Sequence, residues 1–150
     1  MRKIYHTLKF SLLFLLITVC FTSCEYHEGV ELDVYNITVY KNDWVWNSNI
    51  RRYECLLRFD EITERVYEKG FVNAQIFIWE ENRNGNYETL KPLPFVQSYY
   101  DPVSRVPYTE TISYDVSPGY ILFSIQLSNL NDSNQWLEEY SFKVSIMNEH

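Results

Sequence analysis

Between residues 32 and 147 the chain is patterned mainly with a period of two, because apolar residues alternate with polar ones. In Leu32–Lys41, for example, Tyr35, Ile37 and Val39 alternate with polar neighbours, as in a strand with one buried face. About eight segments have this pattern or form an apolar run of strand length. They are 32–41, 44–46, 51–59, 71–79, 87–100, 108–116, 120–127 and 139–147.

Turn-forming residues separate these segments. Asn82–Asn86 contains an Asn-Gly pair, which suits a hairpin turn because both residues tolerate positive φ. Ser117-Pro118-Gly119 predicts a second turn. Pro92 and Pro94 interrupt the segment 87–100, and this favours an edge strand or a loop because proline cannot donate a hydrogen bond within a sheet.

One segment, Asp60–Gly70, has helical spacing. Asp60 is a suitable N-cap, glutamates follow in the first turn, and Lys69 and Gly70 are typical of a helix end. Ile62 and Val66 are four residues apart and would face the core together. Strands with one short connecting helix predict an all-β chain, an antiparallel β-sandwich of immunoglobulin-like type, rather than alternating βα units.

The N-terminal segment has the organisation of an export signal. Basic residues at positions 2, 3 and 9 precede Phe10–Phe21, an uncharged apolar run shorter than the roughly 20 residues of a membrane-spanning helix. The following residues, Phe21-Thr22-Ser23-Cys24, resemble the lipobox of bacterial lipoproteins. That resemblance implies cleavage before Cys24 and a diacylglyceryl group on its thiol. It divides the chain into a signal peptide over 1–23, a tether over 24–31 and a sandwich domain over 32–150.

The lipobox departs from the family pattern at its first position, where Phe21 replaces the usual leucine. Three alternatives remain open. An ordinary signal peptidase would cut after Cys24 with Thr22 at the −3 position, which is a poor site. An uncleaved anchor needs a longer apolar run, and a protein kept in the cytoplasm would have to bury this segment.

Loss of the predicted leader makes the chain strongly acidic. The full sequence has 13 basic and 20 acidic residues and a net charge of −7. Residues 1–23 hold three of the basic groups and none of the acidic ones, so the mature chain would carry a net charge of −10. Nucleic acids and anionic lipid surfaces are bound through lysine and arginine, so this balance excludes nucleic-acid binding as a function.

The residue types needed for common catalytic and metal sites are scarce. Cys20 leaves with the leader, so only Cys55 remains for the domain, where its strand position predicts a small buried hydrophobe. A disulfide between Cys24 and Cys55 is conceivable only without lipidation. The histidines lie at positions 6, 27 and 150, outside every predicted strand, which argues against a nucleophilic triad, a zinc site or any cofactor. We therefore predict no enzyme, with paired carboxylates as a weaker alternative.

Aromatic residues supply the only candidate ligand site. Trp44 and Trp46 would share one face of a short strand, and consecutive Tyr99 and Tyr100 would face opposite sides if extended. Exposed rings beside acids can stack on sugar faces, so these four residues are the candidate glycan-binding residues. The alternative for the tryptophans is a core position, since large aromatics dominate sandwich interiors.

Several runs resemble small envelope lipoproteins of Bacteroidota. They are YECLLRFDEIT, KGFVNAQIFIW, LPF, TISYDVSPGYILFSI and YSFKVSIM. The resemblance implies a β-sandwich and carries no assigned activity or functional residue. With the lipobox, it implies a protein held by acyl chains such as palmitate in a bacterial envelope, at the outer membrane. Its partners would be that membrane, through the lipid, and an envelope protein or glycan.

Overall fold

Nine strands and one α-helix make up the part of the chain that the computed structural model describes, residues 29–83, 85–101, 104–130, 132 and 136–149. Residues 1–28, which include the predicted leader and Cys24, lie outside it. The strands are β1 (Val30–Val39), β2 (Val45–Asn47), β3 (Arg52–Arg58), β4 (Phe71–Asn82), β5 (Gly85–Pro92), β6 (Phe95–Tyr100), β7 (Pro107–Ser117), β8 (Tyr120–Leu127) and β9 (Tyr140–Glu149), with helix α1 (Glu64–Lys69) and a 3-10 turn at Lys41–Asp43.

The strands form two antiparallel sheets, and the predicted antiparallel sandwich is confirmed. The smaller sheet has the order β1-β9-β4-β5, and the larger sheet has the order β2-β3-β8-β7-β6. One predicted segment, 87–100, is in fact two strands. The first strand ends at Pro92 and the second begins at Phe95, so the chain crosses from the edge of one sheet to the edge of the other. Proline lacks an N–H group, and at a sheet edge this removes no hydrogen bond between strands.

The core lies between the sheets and is built from the inward-facing residue of each alternating pair. Phe123 of β8 stacks on Phe142 of β9 with the ring centroids 4.0 Å apart, and this contact joins the centres of the two sheets. Burying a side chain of this size stabilises the fold by roughly 1.5–3 kcal/mol. The residues that surround the stacked pair are mostly branched aliphatics: Val39, Ile76, Ile112, Ile121, Ile125, Val144 and Ile146.

The helix begins later than its sequence predicts. Thr63 is the N-cap, and its Oγ1 accepts a hydrogen bond from the Val66 N–H at 3.2 Å. Asp60 pairs instead with Arg58 at 2.8 Å, in an exposed ion pair before the helix. The reason is a tight turn in which the Ile62 N–H donates to the Phe59 carbonyl, so that Ile62 enters the core before the helix starts.

Strand β1 begins at Val30, two residues before the predicted start of the domain. Pairing with β9 accounts for this extension, because Val30 and Glu31 lie opposite Glu149 and Asn148.

Gly70 is packed too closely for a larger residue, because it joins α1 to β4 against the backbone of β9. A Cβ atom there would lie 2.7 Å from the Met147 carbonyl oxygen and 2.8 Å from that of Val66. We expect Gly70→Ala to lower the free energy of unfolding by about 1–3 kcal/mol, as over-packing does. Gly29→Ala is the matched control, since nothing lies within 4 Å of its Cβ position. Equal urea midpoints for the two variants would contradict this account.

Candidate functional site: an aromatic and acidic cleft

A cleft of about 530 Å³ opens at one end of the sandwich. Its walls come from the end of β4 in the smaller sheet, from β6 and β7 in the larger sheet, and from the segment leading into β9. β6 is the edge strand of the larger sheet and β7 is its neighbour, and the cleft opens beside them.

The register between β6 and β7 places pairs of side chains on the same face, toward the cleft. Phe95 lies opposite Ile112, Gln97 opposite Glu110, and Tyr99 opposite Tyr108. The last pair is at the mouth, where the two tyrosine rings stack with centroids 5.5 Å apart and planes inclined by only 20°. The two rings lie nearly parallel beside the hollow, one against the other.

Glu110 is the buried acid of the cleft. It is 5% exposed and accepts a hydrogen bond from the Tyr140 hydroxyl at 3.4 Å. The pKa of Glu110 is raised to about 7, mainly by burial; the hydrogen bond from Tyr140 lowers it in part, and the negative charge of Glu138 contributes to the rise. Burial is also the main cause that raises the pKa of Tyr99 to about 12, with a smaller contribution from Glu110.

Trp136 covers the side of the cleft formed by the segment before β9. Its ring meets that of Tyr53 edge to face at 5.6 Å, and Leu137 is buried beside it. The Trp136 Nε1–H is buried and has no hydrogen-bond partner among the described residues. A buried donor without a partner costs free energy, so a ligand or water that accepts from it would be stabilised.

Three carboxylates line this one cleft, from Glu110, Glu138 and Glu139. The last two are exposed at the rim, as expected for solvated strand ends, but they face the same hollow as Glu110. No lysine, arginine or histidine is among the described residues that line it. The field in the cleft therefore favours neutral or cationic groups and opposes anions.

Sequence reasoning missed Glu110 and Trp136. A signal for Glu110 was present, since it occupies the apolar face of the segment that contains Tyr108, Ile112 and Tyr114. An acid on the buried face of a strand indicates a site or a paired charge. For Trp136 no pattern was available, because it lies between a loop and a strand and its neighbours in the cleft are distant in sequence.

The two tryptophans occupy the core position that was predicted as the alternative to a ligand platform. Trp44 is 6% exposed and packs edge to face on Tyr140, with centroids 5.9 Å apart. Trp46 is half-buried against Tyr53 at 4.9 Å, and neither tryptophan lines the cleft. Trp44 precedes β2, and Trp46 lies within it, opposite Tyr53 of β3.

The two predicted tyrosines separate as an extended strand requires. Tyr99 lines the cleft, whereas Tyr100 is 63% exposed and does not line it. The chain thus offers an adjacent pair in which one ring faces the site and the other faces solvent.

Cys55 behaves as the predicted buried hydrophobe. It is free and buried, and burial raises the pKa of its thiol to about 11, so it is neutral at ordinary pH. Within residues 29–149 as described, no group of three or more His, Cys, Asp or Glu side chains is arranged to hold a metal ion. The described part of the chain also contains no helix long and apolar enough to cross a membrane.

Comparison with protein-family models, with curated proteins and with solved structures finds no match for this chain.

Glu110 makes stability depend on pH in a definite direction. Its ordinary pKa of 4.5 is raised to about 7 on folding, so the folded state binds more protons between these values. We expect the free energy of unfolding to fall as pH rises through this window, by on the order of 2–3 kcal/mol.

Glu110→Gln should abolish that slope, and urea denaturation between pH 4 and pH 8.5 measures it. Glu139→Gln, at the exposed rim of the same cleft, should retain it. A wild-type slope in Glu110→Gln would show that the buried carboxyl is not its source.

Proposed function

We propose that this protein is a lipid-anchored envelope protein that binds a sugar unit of a glycan in the cleft between β4, β6 and β7. The observation that carries the proposal is the stacked pair Tyr99 and Tyr108 beside three glutamates in one hollow. Binding, rather than catalysis, is the function that this arrangement supports best.

The lining supplies both parts of sugar recognition. The outer ring face of the stacked pair Tyr99 and Tyr108 can accept the apolar C–H face of a pyranose ring. The carboxylates and hydroxyls beside the pair can form hydrogen bonds with the sugar hydroxyls. A cavity of about 530 Å³ lies within the range typical of small-ligand pockets, roughly 300–1,000 Å³. A ligand of one or two sugar units is the expected size.

The charge of the cleft restricts the kind of sugar. Three carboxylates without a basic neighbour in the described lining repel uronic acids and phosphorylated or sulfated sugars. Neutral sugars are accepted, and amine-bearing sugars gain an attractive interaction with Glu138 and Glu139. We therefore expect the affinity to be highest for amine-bearing sugars, lower for neutral sugars and lowest for anionic sugars.

Adjacent tyrosines provide a matched test. We expect Tyr99→Ala to weaken glycan binding about tenfold, which corresponds to the roughly 1.4 kcal/mol expected of one aromatic contact. Tyr100→Ala should bind as the wild type does, because that ring faces away from the cleft. Titration calorimetry with neutral, amine-bearing and uronic oligosaccharides measures both variants. Equal losses for Tyr99→Ala and Tyr100→Ala, or preference for the uronic sugars, would contradict the proposal.

The same cleft carries a second candidate function, a carboxylate-based hydrolase. Glu110 has a pKa raised to about 7 and Glu138 is close enough for its charge to contribute, which is the combination used by an acid and its partner in glycosidases. Binding is preferred because Glu110 is almost wholly buried. Release of reducing ends from a bound oligosaccharide, lost in Glu110→Gln while binding persists, would favour the hydrolase.

The anchor is proposed from the lipobox-like residues before Cys24. Two or more acyl chains hold a protein stably on a membrane, since each buried CH₂ group contributes about 0.8 kcal/mol. In a bacterium that processes lipoproteins, we expect the purified protein to begin at Cys24 and to carry the mass of its acyl groups. Cys24→Ser should leave the membrane fraction. An unmodified Cys24, or a leader still attached, would overturn the anchor.

A further inference from the structure

An apolar patch covers the outer face of the smaller sheet at the end where β1 begins. Val30, Leu32 and Val34 of β1 point outward, and Leu32 lies in one cross-strand row with Met147 of β9 and Phe71 of β4. All five side chains are exposed, from 40% for Met147 to 60% for Phe71. On the other face of these strands Val72 and Ile146 pack in the core, whereas Glu31 and Asp33 of β1 are exposed.

Three consecutive rows of this outer face contain no acidic residue, whereas the row at the end of β1 does. Val34 pairs across with Ser145 and Asn73, and the row beyond contains Asn36, Lys143 and Gln75. In the other direction the end row pairs Val30 with Glu149. Three consecutive rows of this outer face therefore hold only apolar and neutral side chains and one lysine.

The patch is necessarily close to the predicted acyl anchor. Six residues separate Cys24 from Val30, and six residues span at most about 20 Å when fully extended. Contiguous apolar surface on a soluble domain is typical of an interaction site. The apolar patch thus lies within reach of the bilayer surface.

We propose that this patch, Val30, Leu32, Val34, Phe71 and Met147, lies in the interfacial region of the membrane to which Cys24 is anchored. Apolar side chains at the headgroup boundary gain burial, which is the interaction that would hold this face there. The inference rests on the proposed anchor for its location and on the patch itself for its chemistry.

The cleft is distant from the proposed membrane contact. Tyr140, in the cleft, and Met147, in the patch, are seven residues apart on β9, which is about 23 Å along a strand. The patch and the cleft thus lie toward opposite ends of the sandwich, so the contact of the patch with the bilayer leaves the cleft uncovered.

A tethering experiment tests this without relying on cellular lipidation. Residues 24–150 carry Cys24→Ser and an N-terminal hexahistidine tag, and are held on phosphatidylcholine vesicles by a nickel-chelating lipid. A polarity-sensitive NBD label is placed at Leu32→Cys or at Leu56→Cys. Leu56 is 62% exposed on the outer face of the larger sheet and is the matched control, while buried Cys55 stays unlabelled.

On vesicles, the label at position 32 should shift its emission to the blue, gain severalfold in intensity and be quenched by nitroxide lipids. The label at position 56 should not change. Adding Phe71→Glu should abolish the response at position 32 while circular dichroism and the tag-dependent binding stay the same.

Two outcomes would overturn the proposal. One is a label at position 32 that remains in water on vesicles. The other is a blue shift without vesicles that grows with protein concentration, which assigns the patch to a second copy of the chain. Failure of the anchor is seen separately, as an unmodified Cys24 in cells, and failure of the cleft as an absence of glycan binding.

Discussion

Packing of the two sheets against each other is the interaction on which the rest of the structure depends. The stacked rings of Phe123 and Phe142 join the sheets at their centre, and branched aliphatic residues on neighbouring strands fill the space around them. One end of this core is closed by Ile62 and by Val66 of the helix. The cleft lies at the other end, between β4, the edge ribbon β6–β7 and the segment before β9. The site is therefore built from strands of both sheets and from the segment that leads into β9.

Placing Glu110 at the boundary between core and cleft has a cost in stability. Its neighbours on the inward face of β7 are apolar, and burial there raises its pKa to about 7. A glutamine or an aliphatic residue would be tolerated better by the core at neutral pH. A carboxyl retained in such a place, with a tyrosine hydroxyl bound to it, is typical of a functional group. Because of this burial, the protonation of Glu110 changes near neutral pH, and the stability of the fold is expected to change with it.

The two ends of the molecule differ in surface chemistry. The outer face at the start of β1 and the end of β9 presents an apolar patch, and the opposite end presents aromatic rings and carboxylates. An acyl anchor a few residues before β1, as proposed, would place the apolar patch near the membrane. The glycan-binding and membrane-docking proposals are independent in their residues. Together they describe a protein that holds a ligand away from the surface to which it is attached.

The sequence by itself determined the fold class and most strand positions, because alternation of apolar and polar residues is a local property. The segment 120–127 matches β8 residue for residue, and Pro92 and Pro94 correctly indicated sheet edges. The start of the helix could not be predicted from local sequence, because both Asp60 and Thr63 are suitable N-cap residues. In the structure Ile62 is buried in the core before the helix begins, and Thr63 is the N-cap. Only the tertiary structure decided the site. Tyr99, Glu110 and Trp136 come from β6, β7 and the segment before β9, and they meet because the strands pair and the sheets stack. The tertiary structure also decided that Trp44 is buried, because its partner Tyr140 is almost a hundred residues away in sequence and belongs to the other sheet.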